Sequence, residues 1–399
     1  MTYNNTISNK AALLNSTGTI LITIKISNVN TDTITSFDIG YDNLAVEEVL
    51  RKLLPESIKE IPSSFEQAGH LAHINLREEV LPYKYIIGQV IIDKNPNIRT
   101  VINKVGTIET EFRTFPIELL AGENNYNVTL RESNARFQFD FDKVYWNSRL
   151  QMEHSRLINL IRCSCQNDED YQQIDKNAIE KVNKKKSVAI LTPRDRVVAD
   201  MMAGIGPFAI PLAKERVKVY ANDLNPESYK YLVSNTKLNQ CDKFIEPFNM
   251  DGRKFILQLV EKGAHFNEVI MNLPQSATEF LDVFIGLGKR IGPSFDESML
   301  PRIHVYAFST ADDVIADIAE RVAGVLRCDV SHLNFQGSSH IPKKMEESLS
   351  FPCWGHVVRD VAPKKLMVCL SFKLPLEVAM ADPVIEYDIE NAKKKQKQG

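Results

Sequence analysis

At 399 residues the chain is too long for one hydrophobic core, since single cores stop growing near about 250–300 residues, so two or three domains are expected. With 44% hydrophobic and 25% charged residues and a formal net charge of -3, its composition excludes a largely disordered or collagen-like chain. The slight acidity argues weakly against a nucleic-acid partner, although a near-neutral total is compatible with one basic face.

The first 36 residues hold TILITIKIS, in which Ile20, Ile22, Ile24 and Ile26 alternate as in a half-buried strand. In NLAVEEVLRKLLP, Leu44, Val46, Val49, Leu50, Leu53 and Leu54 approximate a helical stripe that Pro55 stops. The stretch 85–120 reads as short strands broken at 95–97 and 105–106, and 126–146 as two more strands ending at Trp146. With no βαβ rhythm, this half is expected to be a small α+β unit. A helix is expected over 149–163, followed by the acidic QNDEDYQQIDKN and the basic KKKS as a surface loop or linker near a domain boundary.

From residue 196 onward apolar segments alternate with helical ones: RVVADMM, VKVYANDL, FIEPFNM, FNEVIMNLP, RIHVYAF and KLMVCLSFKL. That rhythm predicts a mostly parallel sheet flanked by helices. The closing NAKKKQKQG reads as a disordered basic tail.

Six cysteines, Cys163, Cys165, Cys241, Cys328, Cys353 and Cys369, form no paired CxxC pattern and read as reduced thiols of an intracellular protein. Neither the CxC of Cys163 and Cys165 nor the spacing of His70 and His73 is joined by further ligands, so no metal is expected. No stretch approaches the roughly 20 apolar residues that span a bilayer, and the start has no signal-peptide pattern. Residues 1–31 lack acidic side chains but carry only Lys10 and Lys25, which leaves organelle import as a minor alternative.

In VVADMMAGIGPFAIPLA a strand runs into a glycine turn, Ala203 to Gly206, with a helix expected to begin near Pro207. Asp223, about 20 residues on at the end of the next strand, is placed to accept from both hydroxyls of a ribose. A dinucleotide site would want a third glycine where Ala209 stands, so a methyltransferase is favoured over a dehydrogenase. Asp251, Gly252 and Asn272 fall at later strand ends. Asp251 suits the adenine amine, and equally a helix cap. Asn272 opens NLPQ, which lacks the second proline and the aromatic of loops used for exocyclic amines.

The blocks FEQAGHLAHINLREEVLPYKYIIGQVIIDKNPNIRTVINKVG, FRTFPIELLAGE, FDFDKVYWNSRLQMEHSRL, DMMAGIGPFAIPLA, MNLPQSATEFLDVF and VRDVAP follow in order from about 37 to 376. In these the chain resembles the eukaryotic and archaeal tRNA (guanine37-N1)-methyltransferases. The resemblance implies an α/β fold: an α+β tRNA-facing domain over 37–145, then a Rossmann-like class I methyltransferase domain over 146–385. Residues 1–36 would stand as an N-terminal extension in place of the larger front domain of relatives, and 386–399 as the basic tail.

It also implies methyl transfer from S-adenosyl-L-methionine to guanine N1, which needs a base for the N1 proton and a cation near O6. Matching motifs put the base on Glu153 and the O6 cation on Arg113, with Tyr145 and Arg149 lining the guanine pocket. His154, Asp223, Leu224, Asp251, Gly252 and Asn272 match positions that bind the cofactor. Without the resemblance, Glu153 would read as an i,i+4 ion pair with Arg149. Implied further are tRNA as partner, no membrane, no obligate protein partner and a monomer. The expected location is cytoplasm and nucleus, with the mitochondrial matrix as an alternative. Two rivals remain: the aminocarboxypropyl transferase of wybutosine synthesis, against which NLP at 272–274 and RL at 149–150 argue, and a non-catalytic RNA-binding protein with a methyltransferase fold.

Overall fold

A computed structural model describes residues 8–14, 20–27, 34–105, 116–163, 196–333 and 353–384, with only the backbone described before residue 41 and at 163. Arg113, the 164–195 linker with Cys165, and the basic tail lie outside the described residues. The chain divides into two compact units, Met1–Leu130 with Asp140–Asp142, and Arg131–Phe139 with Lys143–Gly399.

The first unit opens with an antiparallel sheet of β1 (Ser8–Leu14), β2 (Ile20–Ser27) and β3 (Ile34–Gly40). Helix α1 (Val46–Leu53) follows, started by the Glu48 carboxylate, which accepts from the Ala45 N–H at 2.7 Å. Strands β4 (Glu66–Ala68) and β5 (Leu71–Ile74) lead to helix α2 (Lys84–Lys94), then to β6 (Thr100–Lys104) and β7 (Ile117–Gly122).

Here the structure corrects the sequence reading. KYIIGQVIIDK is a helix and not a strand, and because β5 and β6 are parallel, the segment is one βαβ unit. Its four isoleucines and Val90 surround the helix without a clear stripe, so their β-branched character suggested strand. Burial of Ile87, Val90 and Ile91 overrides that preference, and Gly88 lets α2 lie close on β7, since a Cβ there would meet Leu120 Cβ at 2.7 Å. Of the two strands expected in 126–146, β8 (Asn127–Glu132) and β9 (Ala135–Asp140), the second stops at Asp140. Beyond it the Trp146 ring packs back on Phe137 and Phe139, at centroid distances of 5.7 and 5.2 Å.

In the second unit a 3-10 turn, Ser148–Leu150, precedes α3 (Gln151–Cys163). The chain then alternates β10 (Val197–Asp200), α4 (Ala209–Lys214), β11 (Lys218–Asn222), α5 (Pro226–Leu238), β12 (Ile245–Phe248), α6 (Gly252–Glu261) and β13 (Glu268–Met271). It closes with β14 (Arg302–Ser309), α7 (Val314–Leu326), β15 (Cys353–Ala362) and β16 (Lys365–Lys373).

The sheet order is β12-β11-β10-β13-β14-β16-β15, with the first five strands parallel, β16 antiparallel to β14, and β15 antiparallel to β16. From β10 the chain builds outward first to β11 and β12, then to β13 and β14 on the other side. That reversal opens a crevice at the carboxyl ends of β10 and β13, where open α/β sheets bind ligands. Every expected strand from 196 onward is present. β15 is an addition: as an edge strand it is only partly buried, and its polar His356, Arg359 and Asp360 hid it from an apolar count.

Candidate active site

The turn after β10 is shaped by two glycines with positive φ, Gly204 at +56° and Gly206 at +98°. A Cβ on Gly206 would stand 2.8 Å from the Ile210 side chain, so backbone conformation and space both require glycine. The turn runs two residues longer than the sequence suggested: α4 starts at Ala209, not at Pro207, with Phe208 buried at its cap position. The ring of Phe208 packs edge-on against His154 at 4.8 Å, which keeps that residue in the turn.

Asp223 follows β11 and is tied to this turn. Its Oδ2 accepts from the Gly204 N–H at 2.8 Å and its Oδ1 from the Asn225 N–H at 2.9 Å. Burial nonetheless dominates these two bonds and pushes its carboxyl up to about 6. The adjoining Leu224 is 43% exposed, an apolar surface at the strand end. Asn222, fully within the fold, donates to the carbonyls of Met201 at 3.1 Å and Met250 at 2.9 Å and accepts from the Met250 N–H, so one side chain sets the ends of β10, β11 and β12 together.

Asp251 caps α6, accepting from the N–H groups of Arg253 and Lys254 at 3.0 and 3.2 Å. Both bonds use Oδ1, which leaves Oδ2 for a ligand. Gly252 begins the helix, where a Cβ would meet the methyls of Met201 and Met202 at 3.3 and 3.4 Å. Asn272 lies one residue beyond β13, and the Pro274 carbonyl after it accepts from the Phe308 N–H at 3.1 Å. Deeper in the crevice Asp200 ends β10 with both oxygens unpartnered among the described residues. Burial first, and then the nearby Asp223, push its carboxyl well above the usual range; the Met202 N–H opposes this without reaching hydrogen-bond geometry.

Glu153 and His154 sit side by side in the first turn of α3, both buried. Glu153 pairs with Arg156, one turn on, through two bonds of 2.6 Å, and not as the i,i+4 pattern with Arg149 suggested. The Tyr306 hydroxyl donates to its Oε1 at 2.7 Å, and Nε2 of His356 stands 3.5 Å from its Oε2. His154 turns the other way: Nδ1 meets Glu132 at 2.5 Å, and Nε2 has no partner among the described residues.

Tyr145 is exposed, with its hydroxyl accepting from the Asn147 amide at 3.3 Å. Arg149, one turn before Glu153 along the chain, borders a cavity of about 680 Å³ that Thr310, Asp313, Arg359 and Lys364 also line. The second unit holds nine of the ten residues singled out from the sequence: Tyr145, Arg149, Glu153 and His154 around the start of α3, and the strand-end residues from Asp223 to Asn272.

Sequence reasoning missed Asp200, Glu132, Arg156, Tyr306 and His356. Arg156 had a signal, since a residue three beyond Glu153 on a helix shares its face. Tyr306 and His356 had none, because they reach Glu153 from strands 153 and 203 residues away in the chain.

The TYW2 N-terminal domain family matches residues 46–125, and the TRM5/TYW2 methyltransferase domain family matches residues 174–316. A tRNA (guanine(37)-N(1))-methyltransferase of Phytophthora infestans is 44% identical over 348 residues, covering 87% of this chain and 71% of the relative. The chain belongs to the tRNA (guanine(37)-N(1))-methyltransferase family. A second member, from Batrachochytrium dendrobatidis, is 39% identical over 393 residues, covering 88% of this chain and 72% of its own length. Among solved structures, Trm5b of Pyrococcus abyssi is similar over 92% of this chain and 91% of its own, with 25% identity and a TM-score of 0.57. The Rossmann-like class I methyltransferase fold that the resemblance implied is thus the fold of this family, and the parallel sheet expected from the strand rhythm is its core.

Proposed function

We propose that the chain transfers the methyl group of S-adenosyl-L-methionine to N1 of guanine 37 of tRNA, the reaction its relatives are named for. The observation that supports this most is a nucleoside-type crevice at the ends of β10 to β13 in the same unit as a buried, hydrogen-bonded carboxylate, Glu153.

The residues of the crevice fit the cofactor. Asp223 suits the two ribose hydroxyls, Leu224 and Gly252 the faces of the adenine, and Oδ2 of Asp251 its amine. Among the described residues, Asp200 and Nε2 of His154 are buried polar groups without hydrogen-bond partners, the condition expected where a polar ligand completes the hydrogen bonding. Asp200 suits an ammonium group, whose charge would reverse the cost of ionising that carboxyl. When bound, the cofactor's sulfonium supplies an electrophilic methyl carbon.

Guanine N1 carries a proton at neutral pH, so its lone pair becomes available only when a base removes that proton. Glu153 is the base in this reading: the N1–H bond breaks, the proton passes to a carboxylate oxygen, and the electron pair left on N1 would bond to the methyl carbon as the sulfur–methyl bond breaks and its electron pair returns to sulfur. Arg113, by resemblance, offsets the charge that moves to O6. Tyr145 and Arg149 hold the base and its flanking backbone. Because the target sits in a stacked anticodon loop, it must leave the stack to reach Glu153.

The test is the mass of the modified nucleoside from tRNA treated with protein and cofactor. A methyl increment on guanosine supports the reading, an aminocarboxypropyl increment replaces it with the wybutosine-type transfer, and no increment despite measured cofactor binding overturns it.

A further inference from the structure

Glu153 is surrounded by donors from three elements. Arg156, on its own helix, gives Nη2 to Oε1 and Nε to Oε2, both at 2.6 Å, and its guanidinium lies 5.3 Å from the ring centroid of Trp354 on β15. Tyr306, on β14 and fully buried, donates its hydroxyl to Oε1 at 2.7 Å. His356, also on β15, stands 3.5 Å from Oε2. A carboxylate offers about two acceptor positions on each oxygen. Those of Oε1 are filled by Tyr306 and Arg156, while Oε2 has one filled by Arg156 and one turned toward the His356 side.

We propose that Tyr306 is a positioning residue for methyl transfer: with Arg156 it holds the Glu153 carboxyl group fixed in rotamer, so that Oε2 is the oxygen that takes the guanine N1 proton. This rests on the reading of Glu153 as the base. Hydrogen bonds donated to a carboxylate favour its charged form, and a buried carboxylate depends on them most. The phenol is suited to the task because burial, and then the nearby Cys369 and Glu153, push its ionisation well above the usual tyrosine value, so it remains a donor across the working pH range. Burial and the neighbouring Arg156 hold His356 below the usual imidazole value, so no second positive charge crowds Oε2 near neutral pH.

The experiment is the pH dependence of the single-turnover methyl-transfer rate, with cofactor saturating, for the unaltered protein, Tyr306→Phe and Glu153→Ala. Removing the phenol O–H takes a donor from the ionised form, so the acid limb of Tyr306→Phe is expected to move to higher pH by about one unit, with roughly a tenfold loss of rate below the limb. A purely structural loss would lower the rate without moving the limb, and that result overturns the proposal. If Tyr306→Phe does not fold, Arg156→Lys, which keeps the charge and loses the two-pronged geometry, must move the limb in the same direction, and an unmoved limb there overturns it equally. Glu153→Ala separates the premise from the proposal. If it keeps rate and limb, the base assignment is wrong and the proposal falls with it; if it abolishes turnover, the limb of Tyr306→Phe decides.

Discussion

Nδ1 of His154 and Oε1 of Glu132 stand 2.5 Å apart, and both side chains are buried. The contact fixes the imidazole so that Nε2, unpartnered among the described residues, is the nitrogen presented to a ligand. Glu132→Gln weakens that orientation while keeping its shape. Cofactor affinity measured by titration calorimetry is expected to fall about tenfold, or roughly 1.4 kcal/mol. Unchanged affinity would remove His154 from the cofactor site.

Cofactor binding is expected to depend on pH through Asp223. Its carboxyl is raised to about 6 in the free protein, whereas ribose hydroxyls donate to the ionised form. Affinity should therefore weaken as pH falls through 6, approaching tenfold per unit, and Asp223→Asn should bind weakly with a flat profile. The sign for stability is the opposite. Between the ordinary carboxylate value and about 6 the folded state holds more protons than the unfolded one, so this group's contribution to the free protein's stability declines as pH rises. Binding curves from pH 5 to 8, run for both proteins, check the first expectation.

Asn222 satisfies two carbonyls and one N–H at the ends of neighbouring strands. Asn222→Ala leaves these buried groups without partners and should cost about 3 kcal/mol in denaturant unfolding. The loss should appear without any cofactor present, which distinguishes it from the effect of Glu132→Gln.

Arg113 is tested directly by chemistry. Arg113→Ala should lower the single-turnover rate by roughly 10² to 10³ while cofactor affinity is retained, if its cation stabilises charge developing on O6. An unchanged rate would remove it from the catalytic set.

How much of this was legible in the sequence follows from the range over which each feature is encoded. The parallel strands from Val197 to Ser309 were readable because buried parallel strands are short continuous apolar runs, whereas the half-exposed edge strand β15 was not. The glycine turn and Asp223 were readable because their spacing is set by one strand–helix–strand unit. Helix α2 was not, since its β-branched residues bury around Gly88 against a strand that arrives later in the chain. Resemblance pointed to Glu153 as the base of the reaction, but its surroundings depend on β14 and β15, whose approach to α3 is a property of the folded sheet and of no local pattern.

Methyl transfer to guanine 37 is tested most directly by incubating the protein with methyl-labelled S-adenosyl-L-methionine and two tRNA transcripts, one with guanine at position 37 and one with adenine there, and identifying the labelled nucleoside after digestion. Label in 1-methylguanosine from the first transcript alone is the predicted result. Label in any other nucleoside, or in neither transcript when cofactor binding is demonstrated, would contradict it.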